Sequence, residues 1–183
     1  MRTALTALAL VLVTIAGLRA MGRVWWCSQG DLALGSFDVW SAHNSQHLID
    51  PYFGSHLLHG LLFYAAGHLW LRERCSHATR ALLALGLECG WELLENTSLV
   101  IGRYRESTMS LDYNGDSIVN SLGDLAACAL GYGLAASVPL AASVAGFVIV
   151  EVVMLAWIRD SLLLNVWMLA FSTEAIKRWQ AGG

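Results

Sequence analysis

Two kinds of side chain able to do chemistry recur at short intervals in this 183-residue chain. His43-x-x-x-His47 and His56-x-x-His59 have the spacing that sets two imidazoles on one helix face. Such pairs suit zinc or another divalent metal once nearby carboxylates complete the ligand set. The plainer reading is that these histidines hydrogen-bond within a bundle and hold it together. Glu88, Glu92 and Glu95 form a carboxylate stripe, and Asp116, Asn120 and Asp124 form another at four-residue steps. Crowded carboxyls in a low-dielectric site are the raw material of general acids and bases. They suit a proton-coupled transporter equally well, and Arg103, Arg105 or Arg159 could instead neutralise them in a structural network. Nucleophilic catalysis has less support. Ser55 and His56 are adjacent and so do not face each other on a helix, and no Gly-x-Ser-x-Gly elbow is present.

The elements that position these groups are apolar helices. The chain is 56% hydrophobic and 14% charged, against about 25% charged residues in a typical soluble domain. It lacks the polar surface to stay in water. A bilayer core needs roughly 20 apolar residues per helix, and stretches at 52–71, 81–101, 117–138 and 140–158 meet that length. Shorter apolar stretches lie at 4–22 and 161–176, with a polar outer loop at 23–51. The N-terminal stretch has the basic start of a signal peptide. Its Leu18-Arg19-Ala20-Met21-Gly22 is a poor small-residue cleavage site, which favours an uncleaved anchor. The expectation is one membrane domain over 1–183, an all-α, polytopic transmembrane helical bundle with five or six spans, since lipid demands that backbone groups be satisfied within helices or a closed barrel.

Orientation follows from the Lys and Arg bias of the loops. With six spans, Arg2, Arg72, Arg74, Arg80, Lys177 and Arg178 share one side, which should be cytoplasmic. At about 1.5 Å rise per residue, His56, His59, Glu92, Glu95, Asn96, Asp116, Asn120, Asp124, Glu151, Arg159 and Asp160 then converge near the opposite, outward-facing surface. Ionisable groups at membrane depth persist where they face protein, water or a cation. This convergence from five segments is the main functional signal.

Other features are structural. The four cysteines (Cys27, Cys75, Cys89 and Cys128) include no Cys-x-x-Cys, so they support neither a disulfide framework nor a zinc knuckle. Gly123, Gly131 and Gly133 read as close-packing surfaces. Asn96-Thr97-Ser98 has the form of a glycosylation sequon but lies inside a predicted span. Net charge is −3, with no basic run to track a phosphate backbone, which argues against nucleic acid as a partner.

Asp50-Pro51-Tyr52, His56, His59-Gly60, Trp91-Glu92-x-x-Glu95-Asn96, Tyr104-Arg105, Gly115-Asp116-Ser117, Asn120-Ser121, Asp124 and Ile158-Arg159-Asp160 together resemble an uncharacterised family of small bacterial multi-pass inner-membrane proteins. That resemblance covers nearly the whole chain and implies residence in the bacterial cell inner membrane. A looser similarity is to VanZ-like membrane proteins, matched by Glu92, Arg103 or Arg105, Asp116, Asn120 and Gly123 over residues 88–133. The histidine-rich segment 43–59 and Asp124 depart from that pattern. Any envelope role it implies is an analogy.

The residues thus point to an outward-facing His/Glu/Asp site. Glu92, Glu95, Asp116 and Asp124 would be its acid–base or metal-binding carboxylates. His56 and His59, with His43 and His47 as a second pair, would be metal ligands. Asn96, Arg105, Asn120, Arg159 and Asp160 would contact a lipid-linked or envelope substrate from the bilayer. The competing class is a non-catalytic binding, transport or assembly protein that uses the same network structurally. The sequence sets no reaction and no oligomeric state.

Overall fold

The computed structural model describes residues 1–108 and 113–182. Its elements are helices: α1 (Arg2–Ala20), α2 (Phe53–Leu71), α3 (His77–Glu95), α4 (Ser98–Ser107), α5 (Ile118–Ser137), α6 (Leu140–Ile158), α7 (Leu162–Phe171) and α8 (Glu174–Gln180). Among the described residues no strand forms, and Gly35 and Ile49 make a single isolated β-bridge. Local chemistry sets the helix starts. Ser76, Thr97, Ser117 and Ser161 each accept a hydrogen bond from the backbone N–H three residues on, capping α3, α4, α5 and α7. Asp50 Oδ1 accepts from the N–H groups of Tyr52 (2.8 Å) and Phe53 (3.1 Å) at the entry to α2. Pro139 opens α6.

Helix α5 is the central element. In its most apolar window 61% of residues are buried, against 11% in α1 and 17% in α6. Its contact with α2 is backbone to backbone. A Cβ on Gly60 would strike the Cys128 carbonyl oxygen, and one on Gly131 would strike that of Leu57. Glycine at both positions lets the two helices approach this closely. Gly123 likewise abuts the Leu48 carbonyl, whereas a Cβ on Gly133 would meet nothing. Gly133 is therefore not part of the packing surface expected for it. Around this pair, α1 and α6 turn Leu5, Leu8, Leu12, Val144, Val148 and Val152 outward, each more than half exposed. A surface so apolar needs cover.

Among the described residues three helices, α1, α5 and α6, are long and apolar enough to cross a membrane. This is fewer than the five or six expected. Helices α2 and α3 have 19 residues each, but their His and Glu residues dilute the hydropathy. The expected span at 81–101 is two helices, because Asn96 ends α3 and Thr97 caps α4. The expected span at 161–176 is not formed. Helix α7 has 10 residues, about half the length a hydrocarbon core requires. After Ser172, in the left-handed region at φ 42°, α8 folds back toward the end of the bundle it came from. Arg159 Nη1 donates to the Trp179 carbonyl at 3.0 Å and Lys177 Nζ to that of Glu106 at 2.5 Å.

The return of α8 changes the charge balance. Lys177 and Arg178 join Arg19, Arg23, Arg103, Arg105 and Arg159 at one end of the bundle, leaving Arg2, Arg72, Arg74 and Arg80 at the other. The Lys and Arg bias that favoured an outward-facing site depended on a sixth crossing, and the bias is now reversed.

Candidate functional site

The heavily charged end of the bundle holds a cavity of about 460 Å³ between α2, α3, α5 and α7. His56 and His59 enter it from α2, Glu95 from α3, Asp124 and Asn120 from α5, with Asp50 and Asp116 from the segments leading into α2 and α5. Helical spacing explains the pairing within α2, while Glu95 comes from the last residue of α3 and Asp116, Asn120 and Asp124 from the Ser117-capped start of α5.

Glu88 sits behind the cavity wall and ties the histidines together. His56 Nδ1 lies 2.6 Å from Glu88 Oε1, and His59 Nδ1 lies 3.0 Å from Oε2. Glu88 belongs to the glutamate stripe but was not among the expected site residues, so sequence reasoning missed the carboxylate that both imidazoles use. Its signal was the i, i+4 spacing to Glu92. His56 Nδ1 is 3.6 Å from Glu92 Oε1 and its Nε2 is 3.9 Å from Asp124 Oδ1. Glu92 is fully buried, and neither carboxylate oxygen has a hydrogen-bond partner among the described residues. One donor atom each from His56, Glu92 and Glu95 falls within 4.8 Å of the others, as does the set from His56, His59 and Glu88. Either group could hold a cation.

Asn96 and Asp116 close the top of the site. Asn96 Nδ2 donates to Asp116 Oδ2 at 2.7 Å, Asn96 Oδ1 accepts from the Asp116 N–H at 2.8 Å, and Tyr113 Oη donates to Asp116 Oδ1 at 2.9 Å. The Asn96 side chain is thus fully committed inside the fold, incompatible with a glycan. Asn120 Nδ2 reaches the His47 carbonyl at 2.8 Å and Asp50 Oδ2 at 3.3 Å. On the α7 side, Tyr104 Oη is 2.8 Å from Glu95 Oε1 and 3.2 Å from Asn165 Oδ1. Asn165 Nδ2 and Tyr52 Oη both donate to Asp160 Oδ2 at 3.2 Å. Burial pushes Asp50 up to about 6 against the opposing pull of His56 and its backbone donors. It pushes Asp160 to about 6 despite Asn165, and raises Asp116 despite Tyr113, Asn96 and Arg23.

The arginines expected to contact a substrate are used elsewhere. Arg105 binds the Tyr113 carbonyl (2.6 Å) and Asn114 Oδ1, while Arg159 holds Trp179. Arg103 donates to the Leu169 and Ala170 carbonyls at the end of α7. None of the three lines the cavity. His43 and His47 lie outside the cavity lining, in the loop between α1 and α2 rather than on a helix.

Fold and site together define an all-helical bundle with an apolar exterior and a buried His/Glu/Asp cluster at one end. The chain belongs to the family described as "Protein of unknown function (DUF2585)", whose model matches residues 18–182. It is 45% identical over 178 residues to a UPF0314 protein of Rhizobium meliloti (97% of this chain, 90% of the relative). It is 44% identical over 177 residues to one of Paracoccus denitrificans (96% and 90%), and 42% identical over 183 residues to one of Brucella anthropi (98% and 90%). These names carry no activity and add nothing to the VanZ-like likeness. No solved structure matches.

Proposed function

We propose that the protein is a membrane-embedded enzyme acting on the head group of a lipid or lipid-linked envelope precursor by acid–base chemistry centred on His56 and Glu88. In this reading α1, α2, α3, α5 and α6 cross the bilayer of the bacterial inner membrane. The supporting observation is the cavity's two-sided character. Its inner wall carries His56, His59, Asp50, Glu95, Asp116 and Asp124, while its open side is bordered by the exposed Leu87, Gly90 and Leu94 of α3 and Val166 of α7. Gly86 and Gly90, one turn apart, also line it, and a Cβ on either would meet nothing. They leave a smooth slot for an alkyl chain beside a polar pocket.

Glu88 orients His56 through Nδ1 and leaves Nε2 facing Asp124, the arrangement by which a carboxylate fixes an imidazole's tautomer for proton transfer. Among the described residues no Lys or Arg lines the cavity, so an anionic head group needs a cation beside the carboxylates. Glu92, whose carboxylate oxygens have no hydrogen-bond partner among the described residues, favours a divalent ion shared with Glu95, which would polarise a substrate oxygen and leave both His56 nitrogens to proton transfer.

The test is lipid analysis of the protein purified in mild detergent, with a membrane lipid profile of cells carrying each variant. The wild type should retain a lipid species enriched over bulk membrane, and Gly90→Leu should lose it. Cells with His56→Gln should accumulate that species. Retention by His56→Gln without accumulation would favour the binding or transport reading, and no enriched lipid would remove both.

A further inference from the structure

The loop between α1 and α2 holds a second cluster, separate from the cavity. Residues 21–52 contain no helix and no strand, yet Cys27, Asp31, His43 and His47 bring one donor atom each to within 4.8 Å of one another. Cys27 Sγ lies 3.3 Å from His43 Nδ1, and His47 Nε2 lies 3.3 Å from the same atom. Asp31 Oδ2 is 3.2 Å from His43 Nδ1 and 3.7 Å from His47 Nε2. From the usual zinc–ligand distances, the edges of a tetrahedral Cys/Asp/His₂ shell are about 3.3–3.6 Å. Four of the six separations, at 3.2–3.7 Å, lie within about 0.1 Å of such edges, and the other two are under 4.8 Å.

The surroundings are those of a ligand set. His47 is fully buried, and its Nδ1 lies 2.7 Å from the Ala33 carbonyl. That contact requires the proton on Nδ1 and leaves the Nε2 lone pair aimed at the other three donors, as for a metal-bound histidine with an outer-shell carbonyl. Ser45, between the two histidines, is in the left-handed region at φ 57°, and the two rings stack with centroids 5.5 Å apart although they do not share a helix.

We propose that Cys27, Asp31, His43 and His47 form a structural zinc site that pins the loop over the cavity. All four positions are taken by protein, so the metal has no open coordination place and serves as the loop's missing core. The loop matters to the main site because Asn44, Ser45 and Asp50 line the cavity and the His47 carbonyl receives Asn120. The cysteines thus include one metal ligand, which their sequence spacing concealed.

The test uses the full chain in mild detergent, with zinc measured per polypeptide after dialysis. About one tightly held zinc ion per chain is expected, kept in a His56→Ala/His59→Ala double variant and lost in His43→Ala/His47→Ala. Replacing zinc by cobalt(II) in the wild type should give tetrahedral visible bands and a thiolate-to-metal charge-transfer band that Cys27→Ser abolishes. This measurement does not require the histidine variants to fold. A wild type that takes up neither zinc nor cobalt overturns the proposal, as does cobalt binding without the thiolate band. Metal lost only from the His56/His59 variant places it in the cavity instead, leaving the enzyme reading intact and this one refuted.

Discussion

His56 and Glu88 approach to 2.6 Å on facing helices, with the Glu88 side chain wholly buried and that of His56 nearly so. The pair joins α2 to α3 at the depth where the cavity begins, and His59 shares the same carboxylate. Removing Glu88 strands two imidazoles, whereas removing His59 leaves the His56 contact intact.

Glu88→Ala should therefore destabilise the fold by about 3–5 kcal/mol, the usual result of breaking a buried pair from one side. His59→Ala should cost less than half as much. Thermal unfolding in detergent would compare them, and equal effects would show that Glu88 does not organise both rings.

The contact between α2 and α5 depends on missing side chains. Gly60→Ala and Gly131→Ala each place a methyl against a carbonyl oxygen and should lose about 1–3 kcal/mol or more through forced separation. Gly133→Ala adds a methyl to open space and should be neutral or stabilising by up to about 1 kcal/mol. The same unfolding assay separates the two classes.

Asp50 and Asp160 are each raised from 3.8 to about 6 by burial. A raised carboxyl binds its proton more tightly in the folded than in the unfolded state. Its stabilising contribution is therefore full below pH 4 and is lost as pH rises through 6. Asp50→Asn and Asp160→Asn should each flatten the decline in stability between pH 4 and 7 by an amount on the order of 1–3 kcal/mol. An unchanged slope in both variants would contradict the burial argument.

The five crossings proposed above would put the Arg72–Arg80 loop and the C-terminus on opposite faces of the membrane, whereas six would put them on the same face. Reporter fusions after Arg74 and after Gly182 should report opposite sides. The excess of Lys and Arg at the cavity end makes the C-terminal fusion the cytoplasmic one. Fusions reporting the same side would falsify the five-crossing topology.

Helical class, apolar exterior and most of the ionisable cluster were legible in the sequence, because composition and 3.6-residue periodicity depend only on local order. His56 with His59 on one face follows the same rule. Helix breaks were less legible. Asn96 and Thr97 interrupt an apolar stretch, and only the side-chain caps show that α3 ends there.

The sequence by itself determined that this chain is apolar and helical and carries His, Glu and Asp at helical spacing. Tertiary structure decided which of them touch. Glu88 rather than Glu92 meets the imidazoles, α8 turns back rather than crossing, and Cys27 and Asp31 come to His43 and His47 through an irregular loop. Periodicity cannot foresee such contacts, because helix rotation and loop path are set by close packing at Gly60 and Gly131 and by hydrogen bonds between residues far apart in the chain.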